Sequence, residues 1–87
     1  MIINLSWSEL SHSYFFLAQH IWRRWYVYWS SPESAVSTLK DICENAGKAE
    51  HIKITVLLTD ENEVIGIEFE LTEQQFTHLQ LKYAAIT

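Results

Sequence analysis

The sequence predicts an α+β fold: a small two-layer domain in which helices near 7–22, 32–46 and 73–84 pack on a three-stranded sheet that includes a 51–59/64–71 antiparallel hairpin. Three observations carry this expectation. Residues 31–47 have a marked helix start and stop, residues 51–71 fit one hairpin register on both faces, and the C-terminal stretch opens on a capping pair. With only Gly47, Gly66 and Pro32 as breakers, the 87 residues contain no linker, so 1–87 reads as a single domain.

In the first third, Ser6 and Glu9 stand at capping-box spacing, and Leu10, Tyr14, Leu17 and Ile21 recur at helical intervals. His12, Ser13, Gln19, His20, Arg23 and Arg24 gather on the opposite arc, which completes an amphipathic helix over about 7–22. The run "WYVYW" that follows has low helix and high strand preference. Trp25, Val27 and Trp29 alternate there with Arg24, Tyr26 and Tyr28, so 24–29 reads as the third strand. One long helix through 29 is the competing reading.

The segment "SSPESAVSTLKDICENAG" places Ser31 at an N-cap, Pro32 at the first helical position and Glu33 near the positive end of the dipole. Ala35, Leu39, Ile42 and Ala46 share a face, flanked by Val36 and Cys43, and Gly47 reads as a left-handed stop.

In the hairpin, pairing Thr59 with Val64 brings Leu58 to Ile65, Val56 to Ile67 and Ile54 to Phe69 on one apolar side. The other side then sets Lys53 opposite Glu70 and Leu57 opposite Gly66. The connection "DENE" lacks Asn-Gly or Asp-Gly, which argues for a four-residue loop. Thr72 and Gln75 have capping-box spacing, and Phe76, Leu79 and Tyr83 continue as a helix over 73–84. The strand–helix–strand portion then suits a right-handed parallel crossover.

Composition limits the functions. The first 32 residues carry Glu9, Arg23 and Arg24, a balance of +1, and the remainder carries −6, for a net charge of −5. An acidic chain repels phosphate backbones and favours a basic partner. The lone Cys43 allows no intrachain disulfide and no multi-cysteine zinc site, which suits a reducing cytoplasm. "MIINLSW" lacks the basic and apolar regions of a secretory signal. The apolar stretch before it reaches ~20 residues is broken by Gln19, His20, Arg23 and Arg24, so a soluble chain without a membrane span is expected.

Catalytic and metal chemistry find little support. His12, His20, His51, His78 and Cys43 show no compact ligand spacing. Ser8 lies four residues before His12, but serines at a helix start are expected as caps, and no nucleophile elbow is present. Cys43, on the apolar side of its helix, reads as a small core residue. Two isolated glycines build no phosphate loop. No catalytic residue, cofactor or metal is expected.

Two features remain. Asp60, Glu61, Glu63, Glu68, Glu70 and Glu73 fall within fourteen residues, read either as a solvated face that discourages edge aggregation or as a docking surface for a basic protein. The run "WRRWYVYW" concentrates Trp22, Arg23, Arg24, Trp25, Tyr26, Tyr28 and Trp29, residue types enriched at binding hot spots. Core packing, with the arginines reaching outward, is the plain alternative. Burial of all twelve aromatic residues would need on the order of 2,000 Å² of interior, so a domain of this size should leave some ring surface exposed.

The sequence therefore predicts a non-enzymatic, cytoplasmic protein-binding module: a small acidic inhibitor, immunity or adaptor protein. The expected contacts are the aromatic and arginine residues just named together with Glu61, Glu63, Glu68 and Glu70. The partner is another protein with a basic surface, or a second copy in a homodimer. The alternatives are single-stranded nucleic-acid binding through the Trp/Tyr/Arg segment, for which two arginines provide little counterion release, and a small homo-oligomeric structural domain.

Overall fold

A computed structural model describes residues 1–28 and 32–84 and shows the two-layer α+β architecture. In chain order the elements are strand β1 (Ile2–Ser6), a 3₁₀ helix (Trp7–His12), α1 (Phe16–Tyr28), α2 (Pro32–Glu50), β2 (Lys53–Leu58), β3 (Val64–Glu70) and α3 (Glu73–Ala84). The sheet is antiparallel with order β1-β3-β2, so β3 is central. Ile3, Leu5, Ile67 and Phe69 point from it into a core shared with Leu17, Ile21, Leu39, Ile42 and Leu79.

The third strand is not 24–29. Those residues as far as Tyr28 continue α1, and Trp29 lies outside the described residues, as does the expected N-cap Ser31. The sheet position is taken by β1, where Ile3 and Leu5 are buried while Ile2, Asn4 and Ser6 are exposed. This period-2 alternation is the strand signal at the start of the chain. Because β1 pairs antiparallel with β3, with Ile3 opposite Phe69 and Leu5 opposite Ile67, there is no parallel crossover among the described residues. Strand preference in "WYVY" yields to helical packing: Ile21, Trp22 and Trp25 turn inward, while Arg23, Arg24, Tyr26 and Val27 stay exposed.

The helix expected over 7–22 is two helices separated by an extended Ser13 (φ −65°, ψ 149°). Glu9 does accept from the Ser6 N–H (3.4 Å) and hydroxyl (2.6 Å), but it caps only the 3₁₀ turn. The break has its own support. Buried Ser13 Oγ accepts the Phe15 N–H at 3.0 Å, and Gln19 Nε2 donates to the Ser13 carbonyl at 2.6 Å. It also exchanges two rings: Phe15 is fully buried against Phe69 and Phe76, whereas Tyr14 faces solvent.

The hairpin follows the expected register from Lys53↔Glu70 to Leu57↔Gly66. At the next step it departs, with Leu58 opposite Val64 and Ile65 bulged out. The loop is therefore one residue tighter than the four expected. Thr59 N–H bonds the Glu63 carbonyl and Asn62 N–H bonds the Thr59 carbonyl, both at 2.9 Å, while Asn62 takes the left-handed conformation (φ 62°). Gly66 answers chiefly to β1, since a Cβ there would lie 2.2 Å from the Leu5 carbonyl oxygen.

Gly47 does not stop α2, which runs on to Glu50. The left-handed residue is His51 (φ 58°), and Ile52 N–H reaches back to the Gly47 carbonyl at 3.0 Å in a Schellman closure. The returning chain lies so close that a Cβ on Gly47 would sit 2.9 Å from the Ile52 oxygen. The α3 capping box forms as expected: Thr72 N–H bonds Gln75 Oε1 (2.8 Å) and Gln75 N–H bonds Thr72 Oγ1 (3.1 Å). Gln75 Nε2 also donates to the His51 carbonyl, tying the start of α3 to the end of α2.

Candidate functional site

Helical spacing on α1 sorts the aromatic–arginine run into two faces. Trp22 and Trp25, three positions apart, meet Trp7 from the first position of the 3₁₀ helix. Ring centroids are 5.2 Å for Trp7–Trp22, 4.9 Å for Trp7–Trp25 and 5.2 Å for Trp22–Trp25, so each indole touches the other two. The Trp7 contacts are edge-to-face, the arrangement favoured by the ring quadrupole. Tyr26 stacks on Trp22 at 6.3 Å. The three indoles are half-buried: they brace the core with one edge and border solvent with the other.

Outside this cluster, Tyr26 is 65 % exposed and Val27 75 %, with Arg23 and Arg24 exposed one turn earlier. Tyr28 ends α1. Trp7 was no part of the expected surface. Its only sequence signal is its place next to the Ser6 cap, which gives no hint of the rings it meets.

The acidic candidates lie elsewhere. Glu68 and Glu70 are on the sheet face turned away from the core, in the rows Asn4–Glu68–Thr55 and Ile2–Glu70–Lys53. Glu61 and Glu63 are exposed in the β2–β3 turn, where Thr59 Oγ1 accepts both of their backbone N–H groups. The aromatic and acidic residues therefore occupy different layers of the domain. Lys53 stands directly opposite Glu70 and offsets part of the acidic face.

A polar cluster that the sequence did not suggest forms between the helices. His20 of α1 packs on Tyr83 of α3 with centroids 4.9 Å apart. Lys82 Nζ donates to both oxygens of Glu50, whose side chain is almost wholly buried at the end of α2. Burial, then Arg24 and Arg23, hold the His20 pKa below its ordinary value. Burial pushes the Tyr83 hydroxyl up, with Glu50 adding to it, and the Glu50 hydrogen bond raises Lys82.

The catalytic candidates are not assembled. The Ser8 hydroxyl lies 3.2 Å from that of Ser6, and His12 Nδ1 contacts Ser11, so Ser8 and His12 are not paired. Cys43 is buried beside Leu39 and Ile42, and burial pushes its thiol up to about 12, away from thiolate chemistry. Among the described residues no His, Cys, Asp and Glu side chains cluster to hold a metal, and no helix is long and apolar enough to cross a membrane. No protein family, curated protein or solved structure matches this chain.

Proposed function

We propose that the protein is a non-enzymatic protein-binding module that docks through the outward face of the last turns of α1. The observation that carries this reading is the exposure of Tyr26 and Val27 beside Arg23 and Arg24, mounted on the Trp7–Trp22–Trp25 cluster. Large rings on a braced helix lose little side-chain entropy on binding, and tyrosine and arginine are common interface anchors. The acids of the turn and outer sheet face supply a negative field that steers a partner with a basic surface. A second copy of the chain is the other occupant this surface admits. The buried free Cys43 suits a reducing cytoplasm.

The test uses a Tyr26→Ala/Val27→Ser double variant at two solvent-facing positions, with a melting curve to check that the fold is kept. Light scattering and partner capture from cytoplasmic extract are compared with wild type. The reading predicts loss of a wild-type dimer or of a captured partner. Equal mass and equal capture for both proteins would refute it, as would tight salt-sensitive binding of single-stranded oligonucleotide.

A further inference from the structure

We propose that the cavity enclosed by α1, α2 and α3 is a binding site for a small organic carboxylate, held by Arg24, His20 and Asn45 over an apolar floor. The site shares Arg24 with the docking surface described above and is otherwise lined by different residues. The cavity measures about 220 Å³ and is lined by residues from all three helices. Ile21, Ile42 and Tyr83 are buried and form its floor, while Arg24, Asn45 and Ala49 are exposed and form its rim. An apolar floor with a few convergent polar groups at one side is the usual composition of a small-molecule site.

Charge and donor geometry select an anion. Among the described residues, Arg24 forms no ion pair, and the side chains of Arg24, His20 and Asn45 donate to no other residue. Glu50, the carboxylate that acts on both the His20 and Tyr83 rings, is already held by Lys82 through both of its oxygens. The cluster thus offers unused positive charge in a chain whose net charge is −5.

One guanidinium fork matches the two coplanar oxygens of a carboxylate. A phosphate would call for more donors and would leave the floor of Ile21 and Ile42 without a partner. In size, a cavity of about 150 Å³ suffices for benzene, so this one admits a benzene-sized body with its carboxylate at the Arg24 rim.

Benzoate is a suitable probe. Titration of the full chain, followed by NMR, is expected to give saturable shifts of the His20 and Tyr83 ring signals. Benzamide, which has the same shape without the charge, and inorganic phosphate, which has charge without the ring, should bind at least ~10-fold more weakly. Arg24→Gln and the rim-blocking Ala49→Trp should each weaken benzoate by about tenfold or more. Absence of saturable shifts at the two rings would overturn the proposal, as would benzamide or phosphate binding as tightly as benzoate. Undiminished binding by Arg24→Gln would do the same. The wild-type ligand series decides the matter should either variant fail to fold.

Discussion

The Gln80 carboxamide closes the N-terminus of α1 from the opposite end of the chain: its Oε1 accepts the Phe16 N–H and its Nε2 donates to the Tyr14 carbonyl, each at 2.8 Å. A helix start leaves backbone donors without intrahelical partners, and here a distant side chain supplies what a local cap otherwise would. Gln80→Ala should therefore cost about 1–3 kcal/mol in urea unfolding. Gln80→Glu keeps the acceptor for Phe16 and should lose less than Gln80→Ala. Equal stability of wild type and Gln80→Ala would show that the clamp contributes nothing.

Gly66 lies in β3 opposite Ser6, at the end of the β1 pairing. Because a Cβ would meet the Leu5 carbonyl at 2.2 Å, Gly66→Ala must push β1 off β3. The expected loss is at least ~2 kcal/mol, with faster amide exchange in Ile3 and Leu5. Normal exchange protection in β1 of the variant would contradict this account.

His51 adopts a left-handed conformation that costs a side-chain-bearing residue about 1–2 kcal/mol. Glycine removes that cost but adds freedom to the unfolded chain. His51→Gly should consequently stabilise the protein by roughly 0.5–1 kcal/mol, read as a higher melting temperature. The His51 carbonyl that receives Gln75 is unaffected by the substitution.

Acid should weaken the fold in part through His20. Its folded pKa lies below the unfolded value of about 6.5, chiefly through burial and then Arg24 and Arg23, with Glu50 opposing. The unfolded chain therefore binds the proton more readily. Stability from this residue is complete above about pH 6.5 and falls as the pH drops towards the folded pKa. His20→Gln should flatten the slope of unfolding free energy against pH in that window. An unchanged slope would assign the acid sensitivity to other groups. Exposed Glu9, whose pKa is lowered by the Ser6 hydroxyl, acts in the same direction at lower pH.

The tryptophan cluster should be visible spectroscopically. Trp7→Ala removes two indole contacts at once and is expected to cost about 2–3 kcal/mol. It should also reduce the near-ultraviolet circular dichroism that closely packed indoles produce. A variant with an unaltered near-ultraviolet band would place the rings further apart in solution.

Elements defined by local chemistry were readable in the sequence. The Thr72–Gln75 box located α3, and opposed apolar and charged pairs set five consecutive rungs of the hairpin. Elements defined by distant partners were not. Residues 25–28 carry strand-forming side chains, yet they are helical because Trp22 and Trp25 find Trp7. The short alternation of Ile3 and Leu5 acquires meaning only beside Phe69 and Ile67. The start of α1 depends on Gln80, and nothing near Phe16 announces it. For the candidate surface, the sequence picked out Arg23, Arg24 and Tyr26, which are exposed on α1, together with Trp22 and Trp25, which are half-buried. It placed Glu68 and Glu70 on a sheet strand, as found, but put residues 24–29 in the same sheet, and it held no sign that His20 meets Tyr83.

The position of β1 has a consequence for biosynthesis. Among the described residues its one sheet neighbour is β3, and Ile3 pairs with Phe69, so β1 has no sheet partner until the much later β3 has been made. During translation Ile3 and Leu5 stay uncovered, while the local turns of α1 and α2 can already form. Sheet closure is then a late, long-range event, governed by how fast β1 diffuses back to the β2–β3 hairpin.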